Sequence, residues 1–253
     1  MLVAERHREI VAIVNAEKSV RVTGLAKHFA VTEETIRRDL EKLEQIGNLV
    51  RSHGGAVSIR QGGTEASFAE REIRSASEKM AIGREAVKLI GDGDTILLDA
   101  STTALQLARL LPDMNLTVLT NAMQVCVELT SRPRVRVICT GGTLSPNSLS
   151  FTGPRAEQAL TEYHVNHLFF SCTGVDIAHG LSDVNEAQAT LKRRMMSVAD
   201  RVTLLVDRSK FGLRALKRFA QISDVHEIIT NMSADPAILD EIKSAGVAVT
   251  VAK

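Results

Sequence analysis

Apolar positions fall into two different rhythms along the chain, and the change between them divides it. Through about residue 57 the spacing is helical. Residues 4–16, AERHREIVAIVNA, put Ile10, Ile13 and Val14 on one face. SVRV is a short β-prone piece, and TGLAKHFA follows with Thr23 as the expected N-cap and Leu25 and Phe29 four apart. The next stretch, TEETIRRDLEKLEQIG, places Ile36, Leu40 and Leu43 on one side, with Thr32 as cap, Glu33 and Glu34 in the first turn and Gly47 as the stop. LVRSHGGAVSI reads as two short strands about a Gly-Gly turn. Residues 58–75 are polar and rich in Gly, Ser and charge, the pattern of a linker that turns helical near Phe68.

Beyond residue 76 the period shortens. TILLD, LTVLT, VRVICT, VNHLFFSCTG, RVTLLV, EIIT and VAVTV are short apolar runs, and segments such as MAIGREAVKLI, TTALQLARLL and NAMQVCVELT alternate with the first of them. Strand and helix in alternation predict an α/β domain with a parallel sheet covered by helices on both faces. The expected organisation is therefore a small helical module with a two-stranded wing (1–57), a linker (58–75) and a larger α/β domain (76–253).

Composition narrows the chemistry. There are no Trp, one Tyr and seven Phe, so the core is aliphatic and base stacking on aromatic platforms is not expected. Net charge is +1, and residues 1–60 carry ten Lys/Arg against eight Asp/Glu, so any nucleic-acid contact must come from local arrangement. Three cysteines, Cys126, Cys139 and Cys172, form no Cys-x-x-Cys and sit among apolar residues, as small core hydrophobes of a reduced, cytoplasmic protein would. No apolar run approaches the ~18 residues of a membrane span, and the N-terminus lacks a signal-peptide core, so no membrane partner is expected. His164 and His167 lack a cysteine at metal spacing; they read as partly exposed histidines entering a strand, and no metal or cofactor is expected.

Three helices and a wing describe a winged helix-turn-helix. At ~100° per residue, Glu34, Thr35, Arg38, Glu41 and Lys42 face away from the apolar side of the third helix, with Arg37 at its flank. Arginine grips guanine bidentately and threonine bonds phosphate or base, while Arg51 and His53 in the wing have the reach for a phosphate or a minor groove. Periodicity alone leaves a solvated, salt-bridged surface helix open. The stretch LAKHFAVTEETIRRDLEKLEQIGNLVRSHGGA resembles the DNA-binding signature of the DeoR family of bacterial transcriptional regulators. The resemblance implies that the helix from Thr32 reads double-stranded operator DNA, with Thr32, Thr35, Arg37 and Arg38 as contacts and the glycines of HGGA as the wing turn. Asp39 is inferred to orient an arginine within the module.

In the larger domain LLDASTTALQLA, VLTNAMQV and VICTGGTLSPNS share one form: an apolar strand, then polar groups, then a turn or helix. Loops at the carboxyl ends of parallel strands meet in the ligand crevice, and helix N-termini favour anions. Ser101, Thr102, Thr103, Thr120 and Asn121 sit at such ends, and Gly141 and Gly142 admit close backbone approach, a set suited to a phosphate. Simple capping and turn roles explain each piece taken singly. Asp99, Asp176, Glu186, Lys192 and Lys210 supply charged groups for a sugar, with a solvated helix pair as the other reading of Glu186 and Lys192.

DASTTALQLA, VLTNAMQV, TGGTLS, FTG, TGVDIAHGLS and VDRSKFG resemble the DeoR-family effector domain, which is similar in fold to ribose-5-phosphate isomerase; Phe68, Arg71, Glu78 and Lys79 fit as well. Ser101 departs from the glycine many members carry. The resemblance implies a regulator of a carbohydrate operon, expected to repress, that is controlled by a phosphorylated sugar and acts as a homo-oligomer (dimer or tetramer) on repeated half-sites. Two alternatives stay open: an isomerase-like enzyme, with Glu186 or Asp176 as base, and a DNA-binding protein without an effector. The isomerase segments Asp-Gly-Ala-Asp-Glu and Lys-Gly-Gly-Gly are missing, which favours a non-enzyme.

Overall fold

The computed structural model describes residues 3–17, 19–45, 48–52, 54–57, 65–232 and 234–253. It divides into two compact units, residues 1–62 and 63–253. The smaller unit runs α1 (Val3–Glu17), β1 (Ser19–Arg21), α2 (Val22–Phe29), α3 (Glu33–Gln45), β2 (Val50–Ser52) and β3 (Gly55–Val57). One aliphatic cluster joins them. Ile10 and Val14 of α1 meet Leu25 of α2, Ile36, Leu40 and Leu43 of α3, and Val20, Leu49 and Ala56 around the wing. Ile13 is only partly buried, at the rim of that cluster.

The wing is a three-stranded antiparallel sheet ordered β1-β3-β2, so the β-prone SVRV joins the predicted hairpin. Thr23 does not cap α2. The strand passes straight into the helix at Arg21, and Val22 N–H, an orphan donor of the first turn, bonds Gly54 O at 2.9 Å. Thr32 does cap α3: its Oγ1 accepts from Thr35 N–H at 3.2 Å. Gly47 and His53 lie outside the described residues. In β3, Gly55 faces Arg21, and a Cβ there would stand 1.9 Å from Val20 O. Gly55→Ala should therefore destabilise the smaller unit by about 1–3 kcal/mol. Faster amide exchange in α1 and α3 of the full chain would report it; unchanged exchange would mean the wing can shift at no cost.

The larger unit contains α4 (Phe68–Ile73), α5 (Ala76–Val87), β4 (Thr95–Leu98), α6 (Thr102–Leu110), β5 (Leu116–Thr120), α7 (Met123–Leu129), β6 (Val135–Cys139), β7 (Thr143–Ser145), β8 (Ser150–Thr152), α8 (Pro154–Leu160), β9 (Val165–Phe170), β10 (Gly174–Asp176), β11 (Gly180–Asp183), α9 (Glu186–Met196), β12 (Ala199–Leu205), β13 (Lys217–Ala220), β14 (Glu227–Asn231), α10 (Pro236–Ser244) and β15 (Ala248–Ala252). Seven strands form one parallel sheet ordered β15-β14-β12-β9-β4-β5-β6.

Period-two alternation sends successive side chains to opposite faces. Leu97, Leu119, Leu168, Phe170, Leu204 and Ile228 pack with α8, α9 and α10. Ile96, Leu98, Val118, Phe169, Leu205 and Ile229 pack with α4 to α7. Residues 65–75 are therefore not a free linker. Phe68 is buried in the second of these cores, and Ser67 and Glu70 close a capping box on α4. The sequence patterns missed the hairpin β7–β8 and the antiparallel sheet β10-β11-β13. Their strands are three or four residues long, too short to show a period.

Candidate nucleic-acid interface and ligand crevice

On α3, Ile36, Asp39, Leu40 and Leu43 are buried, while Glu34, Arg37, Arg38, Glu41 and Lys42 are exposed. Thr35 is half-buried, and its hydroxyl lies 2.9 Å from that of Thr32, which is exposed. Arg37 pairs with Glu33 at 2.7 Å and Arg38 with Glu34 at 3.3 Å, both one helical turn apart and open to solvent. Asp39 turns inward and holds Arg6 (2.6 Å) and His7 (2.8 Å) of α1. Burial would raise the Asp39 carboxyl, but the hydrogen bonds from Arg6 and His7 outweigh it and leave it below the ordinary carboxylate value. The arginine that Asp39 orients is thus Arg6, and the effect is to fix α1 against α3. Glu44 of α3 accepts from Arg51 N–H at 2.7 Å, tying the wing to the same helix and leaving the Arg51 side chain exposed.

In the larger unit, β4 has β5 on one side and β9 on the other. From β4 the chain moves through α6 toward β5, and from β9 through α9 toward β12. The connections diverge there, which makes the carboxyl ends of β4 and β9 a topological switch point, the usual crevice of open α/β sheets. Asp99 stands at it, almost fully buried. Its Oδ1 accepts from Ser101 N–H at 3.2 Å and its Oδ2 from Ser171 N–H at 3.3 Å, so it joins the two diverging loops. Ser101 caps α6 through Ala104 N–H at 3.1 Å, with Thr102 and Thr103 buried in the first turn.

The next two strand ends add further polar groups. Thr120 bonds Leu98 O at 2.7 Å and accepts from Ala122 N–H at 3.0 Å, spacing the ends of β4 and β5. Asn121 is fully buried; its Nδ2 donates to Phe151 O at 3.0 Å, while its Oδ1 accepts no hydrogen bond among the described residues. Gly141 and Gly142 adopt φ of 63° and 112°, and a Cβ on Gly142 would come within 2.7 Å of Thr152 O, so glycine is required for that turn to close on β8.

A buried ion cluster underlies the crevice. Lys192 Nζ lies 2.6 Å from Asp183 Oδ2 and 3.5 Å from Asp99 Oδ2. Thr173 Oγ1 and Val184 N–H donate to the other Asp183 oxygen, each at 2.9 Å. Burial works against the Lys192 ammonium, but Asp183 and Asp99 reverse it and hold the group above the ordinary lysine value. Burial likewise works against the Asp183 carboxylate, and Lys192 holds it below the ordinary range. Beside this cluster Gln188 donates to Ser150 at 2.5 Å and Ser148 at 3.3 Å. At the end of β12, Asp207 is buried near Lys210 and Lys79, and burial lowers the Lys79 amine to about 8.

Comparison with known proteins accounts for both units. The family description "DeoR-like helix-turn-helix domain" matches residues 6–62, and "DeoR C terminal sensor domain" matches residues 74–232. An uncharacterized HTH-type transcriptional regulator of Bacillus subtilis, YulB, is 52% identical over 250 residues, 99% of this chain and 97% of that protein. The chain belongs to the DeoR family of transcriptional regulators. The L-fucose operon activator of Haemophilus influenzae is 38% identical over 90% of this chain and 92% of that protein. Ribose 5-phosphate isomerase A of Methanocaldococcus jannaschii aligns over 53% of each chain at 20% identity with a TM-score of 0.39, too distant to carry weight.

In this DeoR-family chain the structure gathers Asp99, Ser101, Thr102, Thr103, Thr120, Asn121, Gly141, Gly142 and Lys192 along adjoining strand ends, and brings Lys210 to the Asp207 end. Two further candidates are taken up by ion pairs. Glu186 is exposed and pairs with Lys217 at 2.7 Å. Asp176 bonds His179 and Arg214, and Arg214 above all holds its carboxyl down to about 2. Those two were the candidate bases of the enzyme alternative, and an ion-paired carboxylate of low pKa is a poor proton acceptor.

Lys192 is not half of a solvated pair. Of the residues around it, Asp183, Ser171 and Gln188 carried no sequence motif, and Thr173 opens the TGVDIAHGLS segment without having been singled out. Other expectations also change. Cys172 is buried, but Cys126 is half-buried and Cys139 exposed. His167 is buried against Thr203 at 2.7 Å, whereas His164 pairs with Asp200 at the surface. Among the described residues no helix is long and apolar enough to cross a membrane, and no cluster of three His, Cys, Asp or Glu could hold a metal.

Proposed function

We propose that this chain represses a carbohydrate-metabolism operon in the cytoplasm, and that a phosphorylated sugar bound at the ends of β4, β5, β6 and β9 controls its grip on operator DNA. The observation that carries the ligand reading is the buried, unpaired Oδ1 of Asn121 among these loops. An orphan acceptor of this kind costs about 1–3 kcal/mol, and a sugar hydroxyl would satisfy it. The N-terminus of α6 and the turn at Gly141–Gly142 supply backbone N–H groups for a phosphate, with Lys210 as counter-charge. Asp99 and Lys192 suit hydroxyls.

On the DNA side Thr32, Thr35, Arg37, Arg38, Lys42 and Arg51 serve as base and phosphate contacts. Their support is that Arg37, Arg38 and Lys42 are exposed on α3 away from its buried face, with Thr32 and half-buried Thr35 at the start of that helix and Arg51 exposed on the wing strand β2. His53 belongs to the same proposal from its position in the wing motif. One such module is small for specific recognition, so the chain acts as a homo-oligomer, dimer or tetramer, on repeated half-sites.

The test is a fluorescence-anisotropy titration on DNA from upstream of the chain's own gene, at fixed salt, with and without ribose 5-phosphate, fructose 6-phosphate, fructose 1-phosphate, tagatose 1,6-bisphosphate and glycerol 3-phosphate. Release by one of them is the expected result. Tight binding that none of them alters would remove the sugar-phosphate reading and leave the DNA module in place. A reporter behind the same DNA gives the sign: derepression on gene deletion is expected, and lost expression would make the chain an activator.

A further inference from the structure

The segment Glu65–Arg74 enters the larger unit directly after residues 58–64, which follow the wing. Its anchors are Asn147 between β7 and β8, Thr102 at the start of α6, Lys79 of α5 and Asn185 before α9. Asn147 Nδ2 donates to Glu65 O at 2.5 Å, and Asn147 O accepts from Phe68 N–H at 2.8 Å. Thr102 Oγ1 donates to Arg71 O at 3.4 Å, and Lys79 Nζ donates to the carbonyls of Arg71 and Arg74. The Glu65 carboxylate lies 3.5 Å from Arg71 Nη2 and accepts from Asn185 Nδ2 at 3.0 Å.

Asn185 is the pivot. Its Oδ1 caps α9 through Ala187 and Gln188 N–H, and α9 carries Gln188 and Lys192 into the crevice. Its amide Nδ2 donates to Glu65. Asn147 precedes Ser148, one of the two serines that Gln188 binds. Glu65 thus holds, by carboxylate and carbonyl, the two elements that the Gln188–Ser148–Ser150 network joins.

We propose that Glu65–Arg74 is the element through which crevice occupancy reaches the DNA reader, with Glu65 as the positioning residue that reads Asn185. This rests on the crevice being the effector site. A ligand that draws Thr102, Asn147 or Asn185 toward itself takes those donors from the segment, so ligand and segment compete for the same groups. Two equilibria that share bonding groups are coupled, and the coupling works in both directions.

The experiment reverses the polarity of one bond in the full-length chain. Asn185→Asp keeps the cap, because aspartate caps as well as asparagine, but sets a carboxylate against Glu65. Adding Glu65→Gln supplies a donor to that carboxylate and restores the bond with its direction exchanged. Operator affinity is read by anisotropy, without any sugar phosphate, on DNA selected by the parent chain from a random pool. N185D should shift affinity at least fivefold, and N185D/E65Q should return to within twofold of the parent. Glu65→Ala, which cuts the link from the other side, should shift affinity in the same direction as N185D.

A role confined to capping α9 predicts no effect of N185D. An N185D affinity within twofold of the parent, or a shift that E65Q does not rescue, overturns the proposal. Should the sugar phosphates named above fail while the cycle holds, the ligand class falls and the coupling stands. Release by one of them with a flat cycle does the reverse.

Discussion

Lys192→Met should lower the unfolding free energy of the larger unit by about 3–5 kcal/mol, the cost of stranding a buried charge by removing its partner. Lys192, Asp99 and Asp183 are all buried, and the ammonium is the cation that lies against both carboxylates. Methionine fills similar volume, so the loss would be electrostatic and not a cavity. The pH dependence separates the two.

In the parent, Asp183 is held below its ordinary 3.8, so its contribution is present above that value and is lost as pH falls through the lower, folded value. Lys192 is held above its ordinary 10.5, so its contribution is present below that value and is lost as pH rises through the higher, folded value. The cluster therefore stabilises the fold fully between those limits. In the variant, burial acts on the Asp183 carboxylate against only the hydrogen bonds from Thr173 and Val184, so it rises and protonation relieves the penalty. The gap between parent and variant should narrow from pH 7 toward pH 4. Tyr163 is the chain's one Tyr, with no Trp present, so its fluorescence in urea titrations reports the larger unit alone. A loss under about 1 kcal/mol at pH 7, or a gap independent of pH, would mean that solvent already screens the cluster.

Arg38→Ala should weaken operator binding by about 1–3 kcal/mol, roughly five- to 150-fold, and relax preference at one base position. The magnitude settles a conflict visible in the structure. Arg37 and Arg38 are held by Glu33 and Glu34. Exposed pairs at this spacing are worth about 0.3–0.5 kcal/mol, less than one bidentate arginine–guanine contact, so these pairs would not keep the arginine from a guanine. Lys42→Ala should instead weaken all sequences alike and reduce the slope of log affinity against log salt by about 1. Anisotropy across a salt series on the preferred site and single-base variants distinguishes the two. An Arg38 variant with parental affinity and preference would put that side chain off the bases.

Much of this was legible in the chain itself. The 3.6-residue period fixed α1 and α3 and the face each buries, because an amphipathic helix has one way to hide Ile36, Leu40 and Leu43. Seven apolar runs fixed the seven strands of the parallel sheet, and the alternation with helices fixed that the sheet is covered on both sides. The TIRRDL and R-x-HGGA spacing carried the family, and the Ser-Thr-Thr, Thr-Asn and Gly-Gly loops marked the strand ends where polar groups meet.

Tertiary structure decided the partners. Asp39 could have met any nearby arginine; the packing of α1 on α3 chose Arg6. Lys192 sits on a helix whose pattern suits a solvated face, and burial beside Asp99 and Asp183 follows only from β9 lying next to β4. Glu65 to Ser75 look like linker because their polar groups are satisfied by residues as distant as Asn147 and Asn185. Local period encodes which face of an element is buried. Strand order determines which polar groups from remote segments arrive at the same place, and no window of sequence contains it.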